Sequence, residues 1–353
     1  MVHLSESVER LRAEAQARAA RAVWAQPGVE AVAPGVHRIP LPLPGDGLAA
    51  VNVYAVEDGG RLCLVDAGWA VDNAFAALEE GLAALGHGFE TVGRVLVTHM
   101  HRDHYTMAVR MRRLFGTRIE VGIGERESIE AIITGTQEGQ GAHLRGWGAD
   151  DLQAPVAALH AAERAPELYE LPDGWIAGPT DLVLHDRTLR ALPTPGHTRG
   201  HLVFADLAAG LLFSGDHVLP HITPSIGFET VRADLPLRDF LQSLDLVRRL
   251  PDLLMLPAHG PSGTQHHQRV DELVSHHEER LTALERAVGG GAPTAYDAAR
   301  AVTWTRRGRA FGELDTMNQL LAVGETAAHL DVLVVRGRLG RRDVDGRQEY
   351  GLV

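Results

Sequence analysis

The chain has 353 residues, 45% of them hydrophobic and 23% charged, with a formal net charge of −12 at pH 7. That length accommodates two domains and a sizeable core, and the composition is that of soluble globular proteins. No apolar run approaches the roughly 20 residues of a membrane helix, and an acidic surface disfavours an extended nucleic-acid footprint. Met1–Gln26 carries acids and arginines where a secretory signal has its apolar core, so a cytoplasmic protein without membrane association is expected. The single cysteine, Cys63, excludes an internal disulfide and reads as a buried thiol. All 34 basic residues are arginine.

Residues 3–25 place Leu4, Val8, Leu11 and Ala15 at helical spacing and stop at Pro27-Gly28, which predicts a helix docked on the main domain or on a second subunit. From Val32 the pattern shortens to strands: Val36–Ile39, Val51–Val56 and Arg61–Asp66, the last two parted by the hairpin signal Asp58-Gly59-Gly60. The Asp66 carboxylate either caps a helix over 71–85 or partners metal ligands. The run Arg94–Thr98 reads as a buried strand and delivers His99-Met100-His101-Arg102-Asp103-His104. Imidazole and carboxylate packed this closely are ligands for zinc or another first-row divalent ion. A His-x-His pair in extended or turn geometry can aim both rings at one centre, and the following Asp-His can serve another. Helix 106–114 and strand 118–122 come next. The hexad is therefore expected between a strand end and a helix start, where open α/β architectures place their sites.

Residues 124–180 interrupt the strands with a helix at Ser128–Ile133, a glycine-rich connection at Gly135–Gly141, and Trp147, Tyr169 and Trp175 beyond it. The insertion is either a lid or pocket wall or a set of packing helices. Strands at Leu182–Leu184 and Thr188–Leu192 lead into Pro193-Thr194-Pro195-Gly196-His197-Thr198-Arg199-Gly200-His201. Leu202–Ala205 and Leu211–Phe213 follow, the latter running into Ser214-Gly215-Asp216-His217, and Leu253–Leu256 runs into Pro257-Ala258-His259-Gly260. Separate strands thus each end in a His or Asp, the pattern of one convergent site. A long helix over 264–288, helices over 294–302, 314–321 and 325–336, and a hairpin of 338–344 and 347–352 about Asp345-Gly346 complete the chain. The pairs His266-His267 and His276-His277 lie more than two helical turns apart and cannot share one ion, so a solvated helix face is expected.

Taken together, these segments make residues 30–262 resemble the metallo-β-lactamase superfamily: the HxHxDH hexad, PGHTxGH, SGDH and PAHG occur in its order and approximate spacing. The resemblance implies an α/β fold, an αββα sandwich with a binuclear site at one edge of its two sheets. It implies His99, His101 and His197 on one metal, Asp103, His104 and His259 on a second, Asp216 bridging, and Asp66 nearby. The donor set suits two zinc ions, with iron or manganese as alternatives. His201 and His217 fall outside that set as structural neighbours. The tail resembles the winged-helix tail of the β-lactamase-like-protein-2 branch, whose members are associated with endoribonuclease and thioester-hydrolase activity. The expected divisions are a helical extension over 1–29, a catalytic domain over 30–263 with its insertion at 124–180, and a long helix plus winged-helix-like domain over 264–353. Many relatives follow the hexad with Gly-Gly, whereas here Tyr105-Thr106-Met107-Ala108 follows; the Tyr105 phenol either contacts substrate or packs within the helix.

Two such metals bring a bridging water near neutrality in pKa, and the hydroxide attacks a carbonyl or phosphoryl centre. Asp103 is the candidate to orient the nucleophile or relay a proton. His221, on the proline-rich loop Leu219–Ser225, is a candidate substrate contact or proton donor, or else an ordinary loop histidine. Hydrolysis of an ester or thioester of a small or carrier-bound acyl group ranks first, with lactonase as a variant. A metal-dependent endoribonuclease or phosphodiesterase ranks second, and a non-catalytic winged-helix binding protein third. Segment 300–347 has nine arginines against six acids, but Glu313, Asp315 and Glu325 are poor company for phosphate, so nucleic acid ranks well below an acyl substrate. Seven retained ligand candidates argue against a non-catalytic module. The N-terminal helix and the tail both offer surfaces for a homodimer.

Overall fold

Strands that are apolar on both faces need cover on both faces, and the fold supplies it. The computed structural model describes residues 23–45, 47–136, 143–163, 165–305 and 308–353. The helix expected over 3–25 falls almost wholly outside those residues. One sheet takes its strands in chain order: β1 (Glu30–Ala33), β2 (Val36–Pro42), β3 (Ala50–Asp58), β4 (Arg61–Val65), β5 (Val92–Leu96), β6 (Arg118–Gly122) and β7 (Gly174–Ile176). Pairing is antiparallel from β1 to β4 and parallel from β4 to β7. The second sheet runs from β8 (Thr180–Val183) through β9 (Thr188–Pro193), β10 (Leu202–Asp206) and β11 (Leu211–Gly215) to β12 (Leu254–Pro257) and β13 (Thr264–Gln265). Only β11 and β12 are parallel there.

Strand alternation assigns each side chain to a layer. Along β3, Val51, Val53 and Ala55 face outward, while Tyr54 and Val56 face the second sheet. Between the sheets, Tyr54, Cys63, Val65 and Leu96 meet Leu189, Phe204, Phe213 and Leu256. The Tyr54 and Phe213 rings pack edge to face at 5.4 Å. Burial pushes the Cys63 thiol up to about 12, which makes it a structural, unreactive group. Helices α1 (Asp72–Ala84), α2 (Arg102–Phe115) and α3 (Arg126–Thr134) cover the outer face of the first sheet. The second sheet's outer face shares one core with α4 (Gln153–Glu163), α5 (Pro236–Arg248), α6 (His266–Gly289), α7 (Ala295–Ala301) and α8 (Thr316–Val335). The result is the αββα sandwich.

The tail belongs to that core: Leu339 of β14 (Leu339–Val344) and Tyr350 of β15 (Arg347–Leu352) are buried in it beside residues of α6 and α8. Asp345 and Gly346 both have positive φ, 54° and 79°, as a two-residue hairpin turn requires. Three expectations are corrected. The helices over 314–321 and 325–336 are one helix, α8. Gly324 does not break it, and a Cβ there would meet the Trp147 ring at 3.6 Å, an ordinary contact. The insertion 124–180 is not one unit: Leu144, Trp147 and Val156 pack into the tail's core, while Gly174–Ile176 becomes the edge strand β7. The histidine pairs of α6 are not a solvated face either, because His266 and His277 are fully buried. Their ring nitrogens reach the Val247 carbonyl at 2.9 Å and His329 Nε2 at 3.1 Å respectively.

The turn after β6 lies directly on the main chain of residues 199–200. A Cβ on Gly122 would stand 1.9 Å from the Gly200 carbonyl oxygen, whereas one on Gly178 would meet nothing within 4 Å. Gly122→Ala is expected to destabilise the protein by about 3 kcal/mol through overpacking, and Gly178→Ala to stay within about 0.5 kcal/mol. Urea unfolding of the two variants checks this contrast.

Candidate metal centre

Each candidate ligand leaves a strand end or the turn it feeds. After β5, Val97 N donates to the Glu120 carbonyl and Leu202 N donates to the Thr98 carbonyl, both at 2.8 Å. The second bond joins the two sheets one residue before His99. Helix α2 begins inside the hexad at Arg102, because the N–H groups of His104 and Tyr105 already donate to the His101 carbonyl at 3.0 Å. The sequence placed this start later, at 106. The earlier start puts Asp103 in the first turn, where unpaired helix N–H groups favour a carboxylate.

Three ring nitrogens converge on one point: His99 Nε2 lies 2.9 Å from His101 Nδ1 and 3.3 Å from His197 Nε2, and the latter two are 3.1 Å apart. Beside them, Asp103 Oδ2 lies 3.4 Å from His259 Nε2 and 3.6 Å from His104 Nε2. Asp216 faces both groups. Its Oδ1 is 3.4 Å from His259 Nε2 and 3.7 Å from His104 Nε2, and its Oδ2 is 3.6 Å from His197 Nε2.

Whether these residues fit a cation is decided by their outward ring edges. His101 Nε2 donates to the Phe228 carbonyl at 2.6 Å, His197 Nδ1 to that of Ser225 at 2.7 Å, and His259 Nδ1 to that of Ala50 at 2.8 Å. His99 Nδ1 pairs with the Thr98 hydroxyl at 3.0 Å and His104 Nδ1 with Asp66 Oδ2 at 2.9 Å. Protons are thereby anchored outside and lone pairs turned inward, the tautomers that bind metals. His104 Nε2, His259 Nε2 and Asp216 Oδ1 are buried with no hydrogen-bond partner, a condition a divalent ion relieves. Asp66 takes the second of its two expected roles. It also accepts from Thr98 N at 2.8 Å, while α1 has Val71 at its N-cap with no side-chain cap. His201 is spent on Thr194 and on Asp216 N, at 2.8 and 3.1 Å.

Electrostatics differ between the two clusters. Burial, reinforced by the neighbouring His197, depresses His101 to about 3 and keeps its ring neutral. Burial also disfavours charge on His104, but Asp103, Asp66 and Asp216 outweigh it and raise that imidazole to about 10. For Asp103 and Asp216, burial pushes the pKa up, yet the surrounding histidines prevail and hold both below the usual carboxylate range. Carboxylates dominate this end, and a cation balances them.

The Tyr105 expectation needs correction. Its side chain is fully buried, its hydroxyl donates to the Glu170 carbonyl at 2.7 Å, and its ring stacks on Tyr169 at 5.9 Å between centroids. It packs rather than contacting substrate. Tyr105→Phe is expected to cost about 1 kcal/mol of stability and to leave metal content unchanged, as unfolding and elemental analysis will report. His221 stands against Gly260, one residue past His259, on a loop whose Leu219 and Ile222 carbonyls accept from Arg269 at 2.6 and 2.8 Å. Two other clusters, Asp252-His266-His267 and His276-His277-Glu325, also gather three donors. In the first, His266 Nε2 and His267 Nε2 meet the Val247 and Leu250 carbonyls, His266 Nδ1 accepts from Leu253 N, and His267 Nδ1 pairs with Arg248 Nη1. In the second His276 and His277 leave α6 about 100° apart, with the Arg280 cation acting on Glu325.

Sequence reasoning missed Glu125. It is fully buried at the β6 turn, accepts the Thr198 hydroxyl, and so braces the loop carrying His197. Its one hint is a pair of glycines, Gly122 and Gly124, at a strand end. Burial raises its carboxyl to about 7, and burial together with Glu125 raises that of Glu229 to about 8. In the unfolded chain these groups titrate near 4.3. For these two groups the folded state therefore holds the extra protons, and their contribution to stability is lost as pH rises from about 5 through 8. Glu125→Gln removes part of that contribution, so in thermal unfolding of the metal-free protein the variant should gain stability relative to wild type as pH rises across this range.

The family model of the metallo-beta-lactamase superfamily matches residues 46–259, a span holding all seven candidate ligands. The chain belongs to the metallo-β-lactamase superfamily. "Probable metallo-hydrolase YqjP" of Bacillus subtilis is 25% identical over 312 residues, 84% of this chain and 90% of its own. "Atrochrysone carboxyl ACP thioesterase" of Aspergillus fumigatus is 25% identical over 264 residues, 74% of this chain and 67% of its own. A crystal structure of a metallo-beta-lactamase family protein from Thermus thermophilus superposes with a TM-score of 0.75 at 28% identity, covering 92% of this chain and all of that one. Metallo-hydrolases of this superfamily bind divalent metals such as zinc, and the clusters built from His99, His101, Asp103, His104, His197, Asp216 and His259 fall within the matched span. Among the described residues, no helix is long and apolar enough to cross a membrane.

Proposed function

We propose that the protein is a binuclear metallo-hydrolase, with two zinc ions as the best match to its donors, acting on a thioester or ester of a small or carrier-bound acyl group. The observation that carries the reading is Asp216, which turns one carboxylate oxygen toward each cluster of nitrogens. His99, His101 and His197 would hold one ion, and Asp103, His104 and His259 the other. When bound, such ions lower the pKa of water and polarise an acyl carbonyl. Asp103 is the candidate to orient the attacking water or relay its proton, and His221, beside the His259 loop, would protonate the leaving group. Trp69 and the hexad's own Arg102, both half-buried with the guanidinium 4.4 Å from the ring centroid, would offer an apolar plane and a cation to the substrate. Thioester chemistry is favoured by the carrier-protein thioesterase among the relatives, and the net charge of −12 weighs against a polyanionic substrate.

Metal-replete protein assayed on acyl thioesters, esters, lactones and phosphodiesters is expected to turn over the thioester or ester class and to lose activity on chelation. Asp103→Asn should lower kcat roughly 10²–10⁴-fold. Cleavage of RNA without acyl turnover would replace this reading with a nuclease.

A further inference from the structure

The loop that carries His259 is fastened from the opposite sheet. Along β3, Asn52 N donates to the Ala258 carbonyl at 2.7 Å, and Tyr54 hydroxyl donates to the Pro257 carbonyl at 2.8 Å. Asn52 Nδ2 donates to two carbonyls at once, Pro257 at 2.9 Å and Gly260 at 2.8 Å, spanning His259. Ala50 receives the His259 ring itself. Asn52 and Tyr54 share one face of the strand and reach residues 257–260 with their side chains, while the main-chain groups Ala50 O and Asn52 N meet the same four residues. The Asn52 amide has a single workable orientation here. Arg38 Nη1 donates to its Oδ1 at 2.9 Å, which commits both Nδ2 hydrogens to the loop. Arg38 is fixed in turn by the Glu30 carboxylate and the Trp24 carbonyl, each at 2.8 Å. Asn52 is fully buried, so it has no route to substrate.

We infer that Asn52 is a positioning residue for the second metal: its carboxamide, oriented by Arg38, sets the place of His259 and thereby the affinity of that ion alone. His99, His101 and His197 depend on other supports, namely the carbonyls of Phe228 and Ser225 and the Glu125–Thr198 contact. The inference rests on the two-ion reading above. Losing an outer partner of a metal ligand typically costs about 10–100-fold in metal affinity. Asn52→Asp is the sharpest variant. It keeps the shape and gains an ion pair with Arg38, but it has no hydrogens for Pro257 and Gly260 and sets a negative charge against their carbonyls.

The experiment titrates metal-free, full-length protein with Zn²⁺ in competition with a chromophoric chelator, for wild type, Asn52→Asp, Asn52→Ala, His259→Ala and Asn52→Asp/His259→Ala. Wild type is expected to take two ions. Asn52→Asp and Asn52→Ala should bind one as wild type does and the other about 10–100-fold more weakly. The double variant should hold its remaining ion as tightly as His259→Ala does. A general folding defect weakens both ions together, so equal weakening overturns the inference, as does wild-type affinity for both ions in both Asn52 variants. Fewer than two ions on wild type overturns the two-ion reading itself and the inference with it.

Discussion

Everything at this centre depends on one constraint: imidazoles and carboxylates buried within 3 to 4 Å of one another must have their outward edges bonded. An unsatisfied polar group in such surroundings costs about 1–3 kcal/mol, and more when charged. The protein meets the constraint chiefly with main chain. Carbonyls of Ala50, Ser225 and Phe228 hold three of the rings, and Asp66 and Thr98 hold two more. Asp66 serves this end from a left-handed conformation, φ 61°, unusual for a residue with a Cβ. Orphaned atoms remain only on the inward side, at His104 Nε2, His259 Nε2 and Asp216 Oδ1 among the ligand candidates. The network is thus complete except where a cation belongs.

Holding rings by main chain links the centre to the sandwich as a whole. The His259 loop leaves the second sheet but is fastened by β3 of the first, and the hexad leaves the first sheet but is joined to the second through Thr98 and Leu202. Each sheet therefore positions ligands that the other delivers. Close main-chain approach at the β6 turn serves the same purpose, because glycines at 122 and 200 let Glu125 reach under the His197 loop. Sheet packing and metal geometry are one problem in this protein, and a shift between the sheets misplaces donors before it exposes any core.

What was legible in the sequence follows from range. The hexad, His197, Asp216 and His259 each sit at the end of a local apolar run, so pattern alone assigned them to one edge of the fold. Strand positions needed only alternation, and α1 and α6 only helical spacing. The supports were invisible for the opposite reason. Asn52 meets its carbonyls 205 and 208 residues away, and Glu125 meets Thr198 at a separation of 73. Nothing local marks either partner. Local rules also split α8 between residues 321 and 325, took His266 and His277 for a wet face, and put Gly174–Ile176 in a helical insertion, since tertiary packing decided all three. Tyr105 is the same case: its departure from the family pattern is visible, but its use as a packing group depends on Tyr169 and Glu170 far along the chain.

The loop after Asp216 unites these themes. Its Ser225 and Phe228 carbonyls hold His197 and His101, while Arg269 from α6 holds its Leu219 and Ile222 carbonyls. The segment carrying His221 is therefore tied at one end to the long helix of the tail and at the other to two nitrogens of the three-histidine cluster. That cluster cannot be rearranged without moving the loop, and the loop cannot move without breaking bonds to α6. Because α6 shares its core with α8 and the terminal hairpin, the tail backs the centre through the same packed core.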